Sequence, residues 1–214
     1  MALHCAANNI LFTPIYNHFM TGAIILAAGA STRLGVPKQT MLYDGKTLLQ
    51  HAVEAAQSAN CNPVIIVLGA HADAILSHFH YQSALIVHNH DWHQGMGTSI
   101  ATGMKALLQA DCTAANVIIM VCDQPFADAS LLQKLIEQQK QTGKGITAST
   151  YADTMGVPAL FNKPYFDALL HLSGDEGAKK IMLRHQEDVE LVSFEKGVID
   201  IDTVKDVEEF RKHE

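Results

Sequence analysis

The stretch Ala23-Ile-Ile-Leu-Ala-Ala-Gly-Ala-Ser-Thr-Arg-Leu-Gly-Val-Pro-Lys38 joins a short apolar run to a loop of small and cationic residues. A continuous apolar run of this length is typical of a strand that is covered on both faces. The small residues of the loop let the backbone approach a ligand closely, and consecutive N–H groups there can form an anion-binding nest. Arg33 and Lys38 add two positive charges. The stretch therefore predicts a buried strand followed by a phosphate-binding loop.

Similar apolar runs, rich in Val and Ile, recur at residues 64–68, 84–87 and 117–122. Amphipathic helical patterns lie between or after them, at residues 48–59, 72–79, 99–110 and 131–141. This alternation predicts an α/β fold with a doubly wound, mostly parallel (Rossmann-like) sheet in three layers and right-handed crossovers. Weaker patterns predict strands at residues 145–149 and 157–161 and helices at residues 177–184 and 204–212.

Length and composition favour a single globular domain. The chain has 214 residues, of which 48% are hydrophobic and only 17% charged, so it can bury a sizeable core. Residues 1–21 are aperiodic and rich in Asn and His, and they lack the basic and apolar regions of a signal peptide. We expect them to form a mobile N-terminal extension without a function of its own, and residues 22–214 to form the domain.

Charge and cysteine content argue against several classes of partner. The formal net charge is −7 and no run of Lys or Arg occurs, so nucleic acid is not an expected partner. No stretch of about 18 apolar residues predicts a membrane span. The four cysteines form no CxxC pair, which favours a reducing, cytoplasmic location. The twelve histidines, including His78/His80 and His88/His90/His93, stand in no HExxH or CxxC frame, so surface or loop histidines are the preferred interpretation.

Two common nucleotide-binding motifs do not fit the loop after the first strand. A P-loop requires GxxxxGK[ST], but Gly35 is followed by Val-Pro-Lys-Gln. A dinucleotide fingerprint requires GxGxxG, which the segment from Gly29 to Gly35 does not contain. A different kind of phosphate site is therefore expected.

Two further segments, residues 123–125 and 200–203, contain acidic residues. Asp123-Gln124-Pro125 follows the fourth apolar run, where a carboxylate facing the cationic loop is a good oxygen ligand for Mg²⁺; a turn residue is the alternative interpretation. In Asp200-Ile-Asp202-Thr203, strand alternation would direct both aspartates to one side. Asp202 is the candidate second metal ligand. The alternative interpretation is that Asp202 caps the helix predicted at residues 204–212.

The loop LAAGASTRLGVPKQ resembles the signature LA[AG]GxSxRMGxxK of the molybdenum cofactor nucleotidyltransferases, with Leu34 where Met is usual. The resemblance implies a nucleotide-diphospho-sugar transferase type of fold and a Mg²⁺-dependent reaction. It implies catalytic roles for Arg33, Lys38 and Asp123, and metal binding by Asp123 and Asp202. The nucleotide-binding residues that it implies are Leu26, Ala27, Ala28, Gly29, Ala30, Ser31, Lys38, Asn89, Gly97 and Ser99.

Three more segments extend the resemblance from about residue 22 to residue 207. Residues 89–99 are similar to the family's N-x-x-W-x-x-G-M-x-x-S, in which the glycines permit close backbone approach and Ser99 is expected to begin a helix. Residues 156–158 and 174–178 are similar to its G-x-P and GDxGA elements, with Lys179 where Arg is frequent. Residues 22–125 would then mainly bind nucleotide and residues 126–214 the acceptor. The expected acceptor-binding residues are Gln124, Pro125, Gly156, Pro158, Gly174, Asp175 and Gly177.

The base preference depends on Ala28. In the family that this chain resembles, LAAG tends to accompany CTP and LAGG tends to accompany GTP. The resemblance therefore favours transfer of CMP from CTP to a phosphorylated acceptor such as molybdopterin, with a molybdoenzyme as a candidate recipient of the product. Three alternatives stay open: GTP as donor, a sugar or polyol phosphate as acceptor, and a non-catalytic cofactor carrier or chaperone.

Overall fold

The computed structural model describes residues 20–31, 35–77 and 83–201. In chain order its strands are β1 (Thr21–Ala27), β2 (Leu42–Tyr43), β3 (Lys46–Thr47), β4 (Val64–Leu68), β5 (Leu85–His88), β6 (Asn116–Val121), β7 (Ile146–Tyr151), β8 (Thr154–Asn162) and β9 (Val189–Ser193). The α-helices are α1 (Leu48–Ser58), α2 (Ala72–Leu76), α3 (Met96–Ala110), α4 (Ala129–Thr142), α5 (Phe166–Leu170) and α6 (Lys179–Arg184). Short 3-10 helices cover Lys38–Thr40, Trp92–Gln94, Lys163–Tyr165, Gln186–Asp188 and Glu195–Val198.

A seven-stranded sheet in the order β5-β4-β1-β6-β8-β7-β9 forms the centre of the fold. Strands β5, β4, β1 and β6 are parallel neighbours, and so are β7 and β9, whereas β8 pairs antiparallel with both β6 and β7. The remaining strands, β2 and β3, form a separate hairpin. The predicted mostly parallel α/β sheet is confirmed, and β1 lies inside it between β4 and β6.

Both faces of the sheet are covered, as the continuous apolar runs require. Along β1, Ala23 and Ile25 pack into one hydrophobic cluster with α1 and α4, while Ile24 and Leu26 pack into a second cluster with α3, α5 and α6. This alternation follows from the period of two in a strand. Within the part of the chain that the structure describes, every helix is too short or too polar to cross a bilayer.

Helix α3 begins earlier than the sequence pattern indicated. It starts at Met96, three residues before Ser99, because Gly95 at φ 113° provides the turn into the helix. The first turn contains small and polar residues, and it therefore showed no apolar periodicity. Thr21 already belongs to β1, one residue before the expected domain boundary.

The C-terminal prediction is corrected in part. Residues 199–201 form no strand, so alternation does not orient Asp200 there. The backbone N–H of Ile201 instead donates to the carbonyl of Asp123 at 3.2 Å, and the Ile201 side chain is buried. The helix predicted at residues 204–212 lies outside the described residues, as do most of residues 1–21.

Asp188 connects the segment before β9 to the start of β7. It accepts hydrogen bonds from the Tyr165 hydroxyl at 2.6 Å and from the Gly145 N–H at 2.9 Å, and these bonds lower the pKa of the carboxyl. A carboxyl with a lowered folded-state pKa stabilises the fold above its unfolded value, and this stability is lost as pH falls through the folded-state value.

We therefore expect Asp188→Asn to lower the free energy of unfolding at pH 7 by about 1 kcal/mol, since one charge-assisted pair of bonds is weakened. Urea titrations at pH 7 and at several values below the ordinary pKa of 3.8 would measure this difference. The deficit should shrink with acidification, and a deficit independent of pH would contradict the argument. Asp167→Asn, at a side chain that is 87% exposed, is the control.

Candidate functional site

A cleft of about 380 Å³ opens where β1 and β6 end. Its floor is formed by the residues that close these two strands, and its sides come from the Lys38–Thr40 turn, the start of α3 and the segment around Asp175. Open α/β sheets bind ligands outside the carboxyl ends of their strands. The cleft therefore occupies the position where the sequence predicted a ligand.

Lys38 and Asp123 meet inside this cleft. The Lys38 ammonium forms an ion pair with Asp123 Oδ2, and the two side chains are only 16% and 17% exposed. The second carboxylate oxygen, Oδ1, is buried and has no hydrogen-bond partner among the described residues. An ionised oxygen left in that state is costly unless a cation or donor reaches it. The pair thus brings together a cation for phosphate and a carboxylate with unused capacity for a metal.

The glycines of residues 95–97 serve a contact within the chain itself. A Cβ on Gly95 would lie 2.3 Å from the backbone of Gly174, and one on Gly97 would lie 2.6 Å from the backbone of Ser173. The Gly97 N–H also donates to the Gly174 carbonyl at 2.9 Å. The close approach that we expected for a ligand is therefore made by the 173–175 segment, which brings Asp175 to the cleft.

Asn89 is buried and is not among the residues that line the cleft. Its side-chain amide donates to Thr98 Oγ1 and Ser99 Oγ, both at 2.9 Å, and its carbonyl oxygen accepts from the Asp91 N–H at 3.0 Å. The side chain is 3% exposed. Asn89 therefore holds the first turn of α3 in place, and Ser99 rather than Asn89 reaches the cleft.

A buried polar network lies next to Asp123 in the chain and is centred on Gln124. Gln124 donates to the Tyr151 hydroxyl and the Gly197 carbonyl, both at 3.2 Å, and the hydroxyl in turn donates to the Val157 carbonyl at 3.3 Å. Burial raises the pKa of Tyr151, and the carboxylates of Asp200 and Asp123 add to this rise, while the bond from Gln124 opposes it. Tyr151 consequently stays a neutral hydroxyl at physiological pH.

Cys122 also lines the cleft and carries a thiol, but its environment argues against a role as a nucleophile. Burial, together with the charge of Asp123, raises the pKa of the thiol to about 12. A thiol becomes nucleophilic as the thiolate. The cleft is therefore suited to charge neutralisation rather than to covalent catalysis by cysteine.

The structure brings many of the predicted residues together. Those that line the cleft are Leu26, Ala27, Ala28, Gly29, Lys38, Ser99, Asp123 and Asp175. The other described residues of the prediction are not among those that line the cleft: Ala30, Ser31, Asn89, Gly97, Gln124, Pro125, Gly156, Pro158, Gly174 and Gly177. Arg33 and Asp202 lie outside the described residues.

Other residues that line the cleft were not among the predicted site residues. They are Gln39, Trp92, Gly95, Met96, Val121 and Cys122. Gln39 could have been identified as a site residue from the sequence, since it directly follows Lys38 in the signature loop. Trp92 could be a packing or a stacking residue by sequence, and the structure puts it at the wall of the cleft.

Comparison with known proteins gives one family and several relatives. The family described as MobA-like NTP transferase domain matches residues 23–189. Nicotine blue oxidoreductase of Paenarthrobacter nicotinovorans is 32% identical over 191 residues, which cover 85% of this chain and 92% of that protein.

Solved structures share the fold. Rv0371c of Mycobacterium tuberculosis H37Rv superimposes with a TM-score of 0.78 at 27% identity, covering 90% of this chain and 98% of that one. The same protein in complex with manganese gives 0.72 at 25% identity, with coverage of 90% and 98%. Molybdopterin-guanine dinucleotide biosynthesis protein A of Archaeoglobus fulgidus gives 0.63 at 16% identity, over 91% of this chain and 98% of that one.

Proposed function

The chain belongs to the family of MobA-like NTP transferase domains, and on this premise we propose that it transfers CMP from CTP to a phosphorylated small molecule. A phosphate oxygen of the acceptor attacks the α-phosphorus of the NTP in line with the bond to the β-phosphate. That bond breaks and pyrophosphate leaves. The acceptor phosphate is already ionised at neutral pH, so the reaction requires no general base.

The observation that supports this proposal most strongly is the Lys38–Asp123 pair at the foot of the small-residue loop. Both substrates are anionic, and their mutual repulsion is the main obstacle to bringing them together. The Lys38 ammonium can turn from Asp123 toward the phosphates and neutralise charge on the transferred group. Arg33 is proposed to do the same for the leaving pyrophosphate, on the strength of its place in the loop sequence.

Asp123 fits the role of a ligand for Mg²⁺. Its Oδ1 is buried without a partner among the described residues, and its Oδ2 already faces a cation, the Lys38 ammonium. Those residues contain no group of three or more His, Cys, Asp and Glu side chains that could hold a metal together. Substrate oxygens and water would therefore supply most ligands, as is usual for Mg²⁺, with Asp202 as the second proposed protein ligand. Bound at Asp123, the ion would neutralise negative charge shared by the acceptor and the α-phosphate.

Ala28 supports the choice of CTP over GTP. It lines the cleft and is 7% exposed, and its methyl group is proposed to narrow the space available to the base. A single methyl group discriminates by about 1–3 kcal/mol, which amounts to a preference rather than an exclusion. GTP is accordingly the first alternative donor.

Molybdopterin or molybdenum cofactor is the proposed acceptor, with a molybdoenzyme as recipient of the product. The loop signature and the GDxGA segment support this choice, and Asp175 of that segment lines the cleft. A sugar or polyol phosphate is the alternative acceptor. A non-catalytic cofactor carrier has less support, since a carrier does not require a carboxylate with an unused oxygen beside a cation.

A second candidate function comes from the relative named nicotine blue oxidoreductase, of which this chain covers 92%. An oxidation or reduction of a small molecule in the same cleft would not require Lys38 to neutralise the charge of a transferred phosphate group. Such a reaction would release no pyrophosphate and would change the oxidation state of its substrate. The two functions are therefore separable in one set of assays.

The test is pyrophosphate release from CTP, GTP, ATP and UTP, with Mg²⁺ and a molybdopterin-type acceptor. We expect release with CTP that depends on both acceptor and metal. Release with GTP alone would retain the reaction and overturn the base assignment. Absence of release with every NTP, together with consumption of a nicotinamide cofactor and a dye substrate, would replace transfer by oxidation–reduction.

A further inference from the structure

The carbonyl groups of the loop after β1 are held from behind by Gln39. Its side-chain amide donates to the Ala27 carbonyl at 2.9 Å and to the Gly29 carbonyl at 3.3 Å. The side chain is 1% exposed, although Gln39 belongs to the Lys38–Thr40 turn at the edge of the cleft. One buried amide group therefore fixes two carbonyls that are two residues apart.

The neighbouring carbonyls are held by the loop after β4. The Ala70 N–H donates to the Ala28 carbonyl at 3.1 Å, and the His71 ring contacts the Ala30 carbonyl through Nε2 at 3.1 Å. Because a carbonyl oxygen only accepts, the His71 ring donates from Nε2. Every carbonyl from residue 27 to residue 30 is thus occupied by a donor of the protein.

Fixed carbonyls fix the N–H groups on the other side of the same peptide planes. In a planar trans peptide the C=O and N–H bonds point in opposite directions, so holding the carbonyls of Gly29 and Ala30 orients the N–H groups of Ala30 and Ser31. Within residues 20–31, 35–77 and 83–201, no group accepts a hydrogen bond from these N–H groups or from that of Gly29. Nothing lies within 4 Å of a Cβ built on Gly29, so open space adjoins the loop.

We propose that Gln39 and His71 are positioning residues that hold the 27–31 loop with its N–H groups presented to the phosphates of the NTP. The inference rests on the proposed function for the identity of the ligand. Neither side chain has to touch the nucleotide. Their contribution is to fix the orientation of the loop before the anion arrives, and preorganisation of this kind appears as affinity.

The experiment uses Gln39→Met, which keeps the length of the side chain and removes its donors, and His71→Asn at an exposed position. Asn has a shorter side chain than His and tolerates the left-handed φ of 60° at residue 71. Calorimetric titration with inorganic tripolyphosphate measures the anion site without assuming any transfer reaction. We expect the Kd for tripolyphosphate to rise about tenfold or more in Gln39→Met and about fivefold in His71→Asn. The KM for NTP should rise in parallel, while the KM for the acceptor stays unchanged.

Matched controls make the same chemical changes elsewhere. Gln133→Met removes a side-chain donor to the Ser58 carbonyl, and His51→Asn removes a ring contact to the Tyr43 carbonyl. Both controls should bind tripolyphosphate like the wild type. If Gln39→Met does not fold, His71→Asn decides the matter by itself.

The inference is overturned if His71→Asn and a folded Gln39→Met retain wild-type affinity, if the controls lose as much, or if the wild-type protein binds no tripolyphosphate. Loss of tripolyphosphate binding in the variants, with no NTP turned over by the wild type, would sustain the positioning role. The absence of NTP turnover by the wild type would at the same time contradict the proposed transfer reaction. Failure of the inference and failure of the proposed function are therefore distinguishable.

Discussion

Asp123→Asn is expected to lower kcat at least a hundredfold while leaving the protein folded. The substitution keeps the size of the side chain and removes the charge that pairs with Lys38 and that would bind the metal. Electrostatic groups of this kind contribute about 3–4 kcal/mol each to stabilising the transition state, which corresponds to a factor of several hundred. Initial rates of pyrophosphate release at saturating CTP, Mg²⁺ and acceptor would measure the loss.

A second measurement separates this role from a purely structural one. The affinity of the nucleotide-free protein for Mn²⁺, followed by proton relaxation of water, should fall at least tenfold in Asp123→Asn. Asp153→Asn is the matched control, because Asp153 lies in the exposed turn between β7 and β8 at φ 54°, a conformation that Asn also tolerates. Turnover by Asp123→Asn within a few fold of the wild type would remove Asp123 from the mechanism.

Lys38→Met is expected to lower kcat by the same factor as Asp123→Asn does. Lys38→Arg should recover only part of this loss. Met retains the aliphatic length of the side chain and loses its positive charge. Arg retains the charge but presents it as a planar fork, which does not reproduce the compact ammonium beside Asp123. Single-turnover kinetics with saturating NTP would assign the loss to the chemical step, and an unchanged rate in Lys38→Met would contradict the proposal.

The stability of these variants offers an internal check. Lys38→Met leaves the Asp123 carboxylate without its partner in a site that is 17% exposed, and breaking one side of such a pair is destabilising. The double variant Lys38→Met/Asp123→Asn contains two neutral groups and should unfold at a higher temperature than Lys38→Met alone. It should nevertheless remain as inactive as the single variants, which would show that activity and stability depend on the pair differently.

Much of the fold could be predicted from the sequence because its signals are local. The strands β1, β4 and β6 are continuous apolar runs, and such runs have few options other than the interior of a parallel sheet covered on both faces. The position of the loop after β1, with its small residues and Lys38, likewise follows from the order of residues along the chain. Asp123 was predicted for the same reason, since it closely follows β6, the strand beside β1.

Long-range features could not be predicted in this way. The strand β8 runs antiparallel between β6 and β7, although nothing in its composition distinguishes it from a parallel neighbour. The sequence pattern predicted that Gly95 and Gly97 allow a ligand to approach the backbone closely. In the structure, the backbone of residues 173–175 makes this close approach instead. A sequence pattern indicates that close approach is needed, and it does not say which partner approaches.

The sequence by itself determined the buried strands, the small-residue loop and the presence of a cation and a carboxylate at the ends of two strands, because each depends on hydrophobicity, chain order and side-chain chemistry alone. Only the tertiary structure decided that Lys38 meets Asp123 and that Gln39 turns inward to hold the loop carbonyls. Contacts of this kind join residues that are separated along the chain or buried against expectation for their polarity. They arise from the packing of the whole sheet with its helices, since a buried amide is stable only where the fold supplies its hydrogen-bond partners.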